Sequence, residues 1–351
     1  MRIGLLGAGR IGAFHAETLA AHPDVGELLV ADADPVRAQG VAADTGARAL
    51  SVDAALEARP DAVLIASATA AHAHLITRAA EQGIPTFCEK PVALDVPGTT
   101  AALDAVAAAG GILQIGFQRR FDPAYLAARQ ALRDGRLGRL HTVRTVSSDA
   151  TPPPAAYVPA SGGLYRDCLI HDFDILRWVT GREITEVYAT GANIGADYFR
   201  VAGDADTAAV LLTLDGGVLA TATATRYHAA GYDVRMELAG TDEQFGIGFG
   251  PRTPLASLEP DAGAHAPRSE RWPGFLARFA DAYRAEIGAF LRVARGEAPN
   301  PCEGQEALRA LLVAEACELS RQERRPVRMA EVTDRARRRA AGSSGVKGVV
   351  A

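Results

Sequence analysis

Cysteine is sparse and unpaired in this chain of 351 residues: Cys88, Cys168, Cys302 and Cys317 include no Cys-x-x-Cys pair. Their scatter excludes the common structural zinc motifs and fits reduced thiols in a cytoplasm better than a disulfide scaffold. Long apolar runs are lacking too, so no segment reads as a membrane span. Met1 to Leu6 sets a positive charge before apolar residues, but the glycine-rich turn that follows does not suit a signal peptide. Basic excess is also missing. A formal net charge of −5 gives no electrostatic reason to bind nucleic acid or an anionic membrane. With 48% hydrophobic and 23% charged residues, the chain has the balance of an ordinary globular protein rather than a disordered one. Its length calls for two domains, and no internal repeat is evident.

Alternating apolar strands and alanine-rich helical stretches open the chain. Ile3 to Leu6 reads as a buried strand, Gly7 to Gly12 as a turn, and Ile11 to Ala21 as a helix. Glu27–Ala31, Asp61–Ser67, Thr86–Cys88 and Gly111–Phe117 read as further strands, the pattern of a doubly wound parallel sheet. Helix is expected from Arg119 to Asp134, where that alternation fades. Beyond it, Leu140–Ser147, Glu186–Thr190, Ala208–Leu214, Val218–Arg226 and Val234–Ala239 carry period-two or Thr/Val-rich patterns of a mostly antiparallel sheet, with Asp215-Gly216-Gly217 as a hairpin turn. Pro152 to Pro154 and Pro251 to Pro273 read as loops, and Ala277–Ala294 and Gln305–Ser320 as late helices. The fold class is α/β: a doubly wound parallel-sheet domain over residues 1–118, a second domain with a mostly antiparallel sheet over 119–334, and a flexible tail over 335–351.

Gly7-x-Gly9-x-x-Gly12 follows a strand and opens a helix, where glycines allow a tight turn and close approach of a pyrophosphate to the helix N-terminus. Asp32 ends the second strand, where a carboxylate binds the adenosine ribose and repels a 2′-phosphate, favouring NAD over NADP. Arg37 reads as a solvated helix-start charge before it reads as a phosphate ligand. Lys90, in Glu89-Lys90-Pro91, follows a strand at the carboxyl edge of the sheet, where its ammonium can stabilise charge on a substrate oxygen; a surface lysine paired with Glu89 is the plainer alternative. Asp167 and His171 stand at i and i+4 after Gly162-Gly163, so one helical turn can present a carboxylate behind an imidazole base. The same spacing is common on helix surfaces, and a capped interior histidine is the competing view. Asp172 and Asp174 read as helix-surface or structural acids. His72 can shape a cofactor loop or start a helix, His74 shares that ambiguity, and His15 and His22 read as ordinary residues of the first helix and its exit. His72, His74 and Cys88 lack a metal-ligand spacing, so no metal is expected.

Taken together, Gly7-Ala8-Gly9-Arg10-Ile11-Gly12, Phe87-Cys88-Glu89-Lys90-Pro91, Gly116-Phe117-Gln118-Arg119-Arg120-Phe121-Asp122 and Gly162-Gly163 with Asp167-x-x-x-His171-Asp172-Phe173-Asp174 resemble the glucose-fructose oxidoreductase / inositol dehydrogenase / MocA family. Arg119 to Asp122 and Ala230-Gly231-Tyr232-Asp233-Val234 are similar to its inositol 2-dehydrogenase branch. The resemblance implies a Rossmann domain joined to a second domain with a large open sheet, and a catalytic set of Lys90, Asp167 and His171. It implies NAD contacts at Gly7, Gly9, Arg10, Ile11, Gly12, Asp32, Ser67, Glu89 and Lys90, and substrate contacts at Gln118, Arg119 and Tyr232. It further implies NAD-dependent oxidation of a cyclitol alcohol, myo-inositol to 2-keto-myo-inositol (scyllo-inosose), by a cytoplasmic homo-oligomer, dimer or tetramer. A dehydrogenase for scyllo-inositol, an aminocyclitol precursor or an aldose would share these residues, and a non-catalytic NAD(H)-binding regulator is a further alternative. Two departures stand out: Ser67-Ala68 where the family often has Thr-Pro, and Pro152 to Pro154 with Tyr157 where other members place substrate-binding polar residues.

Overall fold

A computed structural model describes residues 1–255 and 270–344, without the side chains of 339–344. Part of the expected loop from Pro251 to Pro273, and 345–351 of the expected tail, lie outside the described residues. Two compact units make up the chain: Met1–Phe121 with Asp281–Arg309, and Asp122–Ala280 with Ala310–Ala351.

The first unit is built on six parallel strands: β1 (Arg2–Leu6), β2 (Glu27–Ala31), β3 (Arg48–Leu50), β4 (Ala62–Ile65), β5 (Thr86–Glu89) and β6 (Leu113–Gly116). Their spatial order, β3-β2-β1-β4-β5-β6, reverses direction between β1 and β4, which opens a crevice at the carboxyl ends of those two strands. Runs such as Ile3 to Leu6 and Ala62 to Ile65 are buried throughout because helices cover both faces of a parallel sheet. Crossover helices α1 (Arg10–Ala20), α2 (Pro35–Thr45), α3 (Val52–Glu57), α4 (Thr69–Glu81) and α5 (Val96–Ala108) connect the strands. Three start on side-chain caps: Asp34 accepts from the Val36 N–H at 3.0 Å, Ser51 from Ala54 at 3.2 Å and Asp95 from Gly98 at 2.7 Å. The three-residue strand β3 escapes sequence reading because Arg48-Ala49-Leu50 is too short to show a period.

Residues Asp281–Arg309 were expected in the second domain from sequence, yet they pack in the first unit. Ile287, Phe290 and Leu291 join the core made by Ile3, Leu5, Leu64 and Phe87. The Ile115 N–H of edge strand β6 donates to the Cys302 carbonyl at 2.9 Å, and Gln114 bridges to Glu303, so this returning segment covers an edge that would otherwise be open.

In the second unit, β7 (Leu140–Ser148), β8 (Ile184–Ala192), β9 (Thr207–Leu214), β10 (Leu219–Thr225), β11 (Asp233–Gly240), β12 (Gln244–Ile247) and β13 (Val327–Arg328) form one sheet in the order β12-β11-β7-β10-β9-β8-β13. All pairings are antiparallel except β7 with β10. Burial alternates along the strands: Ala220, Ala222 and Ala224 face inward, while Tyr188, Leu211 and Leu219 lie exposed on the other face. The helix expected from Arg119 begins later. A 3-10 turn, Gln118–Phe121, precedes the helix Pro123–Arg133, whose start is set by Pro123 and by Asp122 accepting from the Ala124 N–H at 2.9 Å. Helix Met329–Ser344 continues through Arg335, where the sequence led us to expect a loose tail; Arg335 pairs with Glu331 one turn earlier at 2.7 Å.

Candidate active site

Every nucleotide-site residue named from sequence falls at the carboxyl edge of the first unit's sheet. Gly7 to Gly12 join β1 to α1, Asp32 follows β2, Ser67 follows β4, Glu89 ends β5 with Lys90 next, and Gln118 and Arg119 follow β6. Gly7 sits at φ +113°, and a Cβ there would overlap the backbone of Ala66 and Ser67; one on Gly12 would overlap the Gly7 carbonyl. Gly9 differs, with open space where its side chain would be, as a loop that admits a pyrophosphate requires. The Asp32 carboxylate shapes this loop, accepting from the Ala8 N–H at 2.6 Å and the Asp34 N–H at 2.8 Å. Arg37 pairs with Asp34 at 3.3 Å on an exposed helix start, which agrees with its reading as a solvated charge. These residues fit NAD: three glycines of the required kind, a helix N-terminus and a partly exposed acid after β2.

His15 corrects the sequence reading. It is fully buried rather than ordinary, with Nε2 2.7 Å from the Glu89 Oε1, so Glu89 faces a core imidazole next door to Lys90. Phe87 and Tyr283 pack edge-on against the same ring. His72 is a connector. Its Nδ1 lies 2.8 Å from the Pro91 carbonyl and its Nε2 2.9 Å from the Ser67 carbonyl, linking the exit of β4 to the Lys90-Pro91 turn. Helix α4 starts at Thr69 without a side-chain cap at Ala68, the local consequence of Ser67-Ala68. His74 is exposed on α4. Gln118 and Arg119 are buried to 2% and 3%, and the Gln118 Oε1 has no hydrogen-bond partner among the described residues, an acceptor that a ligand hydroxyl can satisfy.

Asp167 and His171 belong to the second unit, and the helix that carries them is irregular. A π turn, Tyr165–Leu169, runs into the α-helix Ile170–Thr180, so the two side chains straddle a change of helical pitch that four-residue spacing alone does not reveal. The Asp167 carboxylate accepts from Tyr157 Oη at 3.0 Å through Oδ1 and from Arg226 Nη2 at 2.7 Å through Oδ2. Arg226, 3% exposed, also donates to Asp149 at 2.9 Å and lies 2.8 Å from the Cys168 sulfur. Sequence reasoning missed this arginine, which lies fifty-nine positions from Asp167. Of the two readings of Asp172 and Asp174, burial supports the structural one: both are buried, and Asp172 accepts from the Ser147 hydroxyl at 2.6 Å. Tyr232 is buried beside the Trp272 backbone, to which its N–H donates at 3.2 Å. A cavity of about 670 Å³ in this unit sits at the far end of the same helix, against Trp178, Gly181 and Arg182, and includes neither Asp167 nor His171.

Among the described residues, no helix is long and apolar enough to cross a membrane, and no group of three or more His, Cys, Asp or Glu could hold a metal ion. Residues 1–117 match the model of an oxidoreductase family with an NAD-binding Rossmann fold, and residues 125–245 that of the GFO/IDH/MocA C-terminal domain. A myo-inositol dehydrogenase of Streptomyces leeuwenhoekii is 40% identical over 326 residues, covering 90% of this chain and 96% of that protein. The crystal structure of a myo-inositol dehydrogenase from Corynebacterium glutamicum superposes with a TM-score of 0.84 at 35% identity, covering 93% of this chain and 98% of the other. A scyllo-inositol dehydrogenase from Lactobacillus casei, solved with NAD(H) and scyllo-inositol, gives a TM-score of 0.82 at 29% identity, covering 94% and 99%. The chain therefore belongs to the glucose-fructose oxidoreductase / inositol dehydrogenase / MocA family of oxidoreductases.

Proposed function

We propose that this protein oxidises a secondary alcohol of a cyclitol with NAD, and that myo-inositol, converted to 2-keto-myo-inositol, is its substrate. The observation that carries the reading is that a chain 40% identical to a myo-inositol dehydrogenase over nearly its whole length bears a complete lysine, aspartate and histidine set at Lys90, Asp167 and His171. NAD, when bound, supplies the acceptor for the hydride that leaves the carbinol carbon. His171 takes the hydroxyl proton as the C–H electron pair departs, so that the alcohol becomes a ketone and the imidazole an imidazolium. Lys90 donates to the oxygen on which negative charge develops. Asp167 steadies the imidazolium as a fixed anion. Gln118, Arg119 and Tyr232 contact the remaining hydroxyls or wall the pocket, as suits a substrate polar on every side.

The same reading assigns NAD binding to the unit of Met1–Phe121 with Asp281–Arg309, and substrate binding and assembly to the other unit. It makes the protein a cytoplasmic homotetramer, joined through the open sheet face that exposes Tyr188, Leu211 and Leu219. A panel of myo-inositol, scyllo-inositol, inosamines and aldoses, scanned for NADH formation, tests the function. Myo-inositol should give the highest kcat/KM. A higher value for scyllo-inositol would support the second reading, which the likeness to the Lactobacillus casei enzyme favours; no turnover of any cyclitol would overturn both.

A further inference from the structure

Arg226 follows β10 and is buried with its guanidinium shared between two carboxylates from different segments. Asp149 follows β7, and Asp167 lies in the π turn. Burying a guanidinium costs several kcal/mol unless anions compensate, and removing one partner leaves an uncompensated charge. Arg226 therefore needs both acids, and Asp167 is held from both oxygens: one by the guanidinium, the other by the Tyr157 hydroxyl. Although Tyr157 is 46% exposed, desolvation of its hydroxyl and then the neighbouring carboxylate of Asp167 push it above its ordinary range, so it stays a donor. Burial lowers the Arg226 guanidinium, but Cys168, Asp167 and Asp149 outweigh this and raise it, so it stays a cation. A carboxylate that receives an N–H from a permanent cation and an O–H from a permanent donor is stabilised in its charged form.

We propose that Arg226 is a positioning residue for hydride transfer: it keeps the Asp167 carboxylate ionised and in one orientation, so that Asp167 serves only as a fixed charge behind the base and never receives the substrate proton. The inference rests on the roles of Asp167 and His171 given under the proposed function. The groups that face Arg226 are Asp149 beyond β7, Tyr157 ahead of the helix Val158–Ser161, Asp167 and Cys168 in the π turn, and Tyr198, Asp204 and Asp206 ahead of β9. The Asp206 carbonyl accepts from the Arg226 N–H at 2.8 Å and anchors its backbone. Two acids directly on one guanidinium leave the array a net anion, the sign that favours an imidazolium nearby.

The test has a part that needs no turnover. Carbon NMR of aspartate-labelled protein, with Asp167→Asn to assign the resonance, follows the Asp167 carboxyl through acid pH. It should remain ionised well below the ordinary carboxylate midpoint of about 3.9; titration at or above that midpoint would overturn the proposal. Kinetics on the cyclitol that the wild type oxidises supply the second part. Arg226→Met should lower kcat about a hundredfold and displace the acid limb of the pH profile, Arg226→Lys should recover activity to within about tenfold of wild type, and NAD affinity should move less than about twofold in either. In an Asp167→Asn background, Arg226→Met should cost less than about threefold more, because a residue that acts through Asp167 has nothing left to position. Multiplying losses in that double variant would overturn the clamp alone. The same comparison decides the matter where Arg226→Met alone fails to fold, since the double variant removes the cation with one of its two carboxylates and leaves only the partly exposed Asp149. An Asp167→Asn enzyme as fast as wild type would instead sink the catalytic set on which the proposal rests.

Discussion

Lys90 is one of only two lysines in the chain, the other being Lys347; every other position that needs a cation uses arginine. A lysine ammonium is a compact donor that can lose its proton, whereas a guanidinium is effectively permanent in charge. Lys90→Ala and His171→Ala should each reduce kcat by roughly a hundredfold to ten-thousandfold, the range for a positioned acid, base or charge stabiliser. NAD binding, followed by fluorescence titration, should stay nearly intact, and unchanged turnover would remove that residue from the set. Asp32→Ala should lower the NAD/NADP ratio of kcat/KM at least about tenfold, by loss of hydrogen bonds to the ribose and of repulsion against a 2′-phosphate. An unaltered ratio would restrict Asp32 to the loop-shaping bonds with Ala8 and Asp34. The thiols behave as a group. Burial pushes Cys88 and Cys317 well above the ordinary thiol range, and Cys302 is buried as well, leaving Cys168 partly exposed. Alkylation of the native protein should label Cys168 alone by mass spectrometry, and labelling of the other three before unfolding would contradict this packing.

At the scale of elements, the strand-turn-helix opening was legible because its signal is local: a short apolar run, three glycines at fixed spacing and an acid at the end of the next strand all lie within thirty-two residues. The π turn was not legible, since its extra residue per turn leaves no periodic trace in a five-residue segment. Nor was the burial of Asp172 settled, since the sequence left a helix-surface and a structural role open for it. Its carboxylate is satisfied by Ser147, a hydroxyl on β7 twenty-five positions away. Ser147→Ala removes that donor from a buried acid and should destabilise the protein by about 1–3 kcal/mol in chemical denaturation, by the usual cost of an unmet buried polar group. A change within about 0.5 kcal/mol would mean that another donor compensates.

For the whole molecule, the open sheet face is the feature with the largest consequence. Tyr188, Leu211 and Leu219 are 43%, 49% and 49% exposed on a sheet whose other face is buried. Exposed apolar side chains grouped on one flat surface are the usual mark of an interaction surface. Sedimentation should show a homotetramer in the wild type, and Leu211→Glu should shift it toward smaller species; a wild-type monomer at micromolar concentration would remove the assembly from the reading.

The sequence alone determined the nucleotide-binding half and its cofactor, and it named Lys90, Asp167 and His171 as candidates, because motifs at short spacing report backbone geometry and charge that neighbours in the chain impose. Only the tertiary structure decided that Asp281–Arg309 returns to the first unit, that His15 meets Glu89 inside its core, and that Arg226 grips Asp167. Those pairings join residues from fifty-nine to nearly three hundred positions apart or hide charges that propensity places at the surface. Burial of apolar area, which is indifferent to sequence distance, brings such groups together and then requires each buried charge to find its partner.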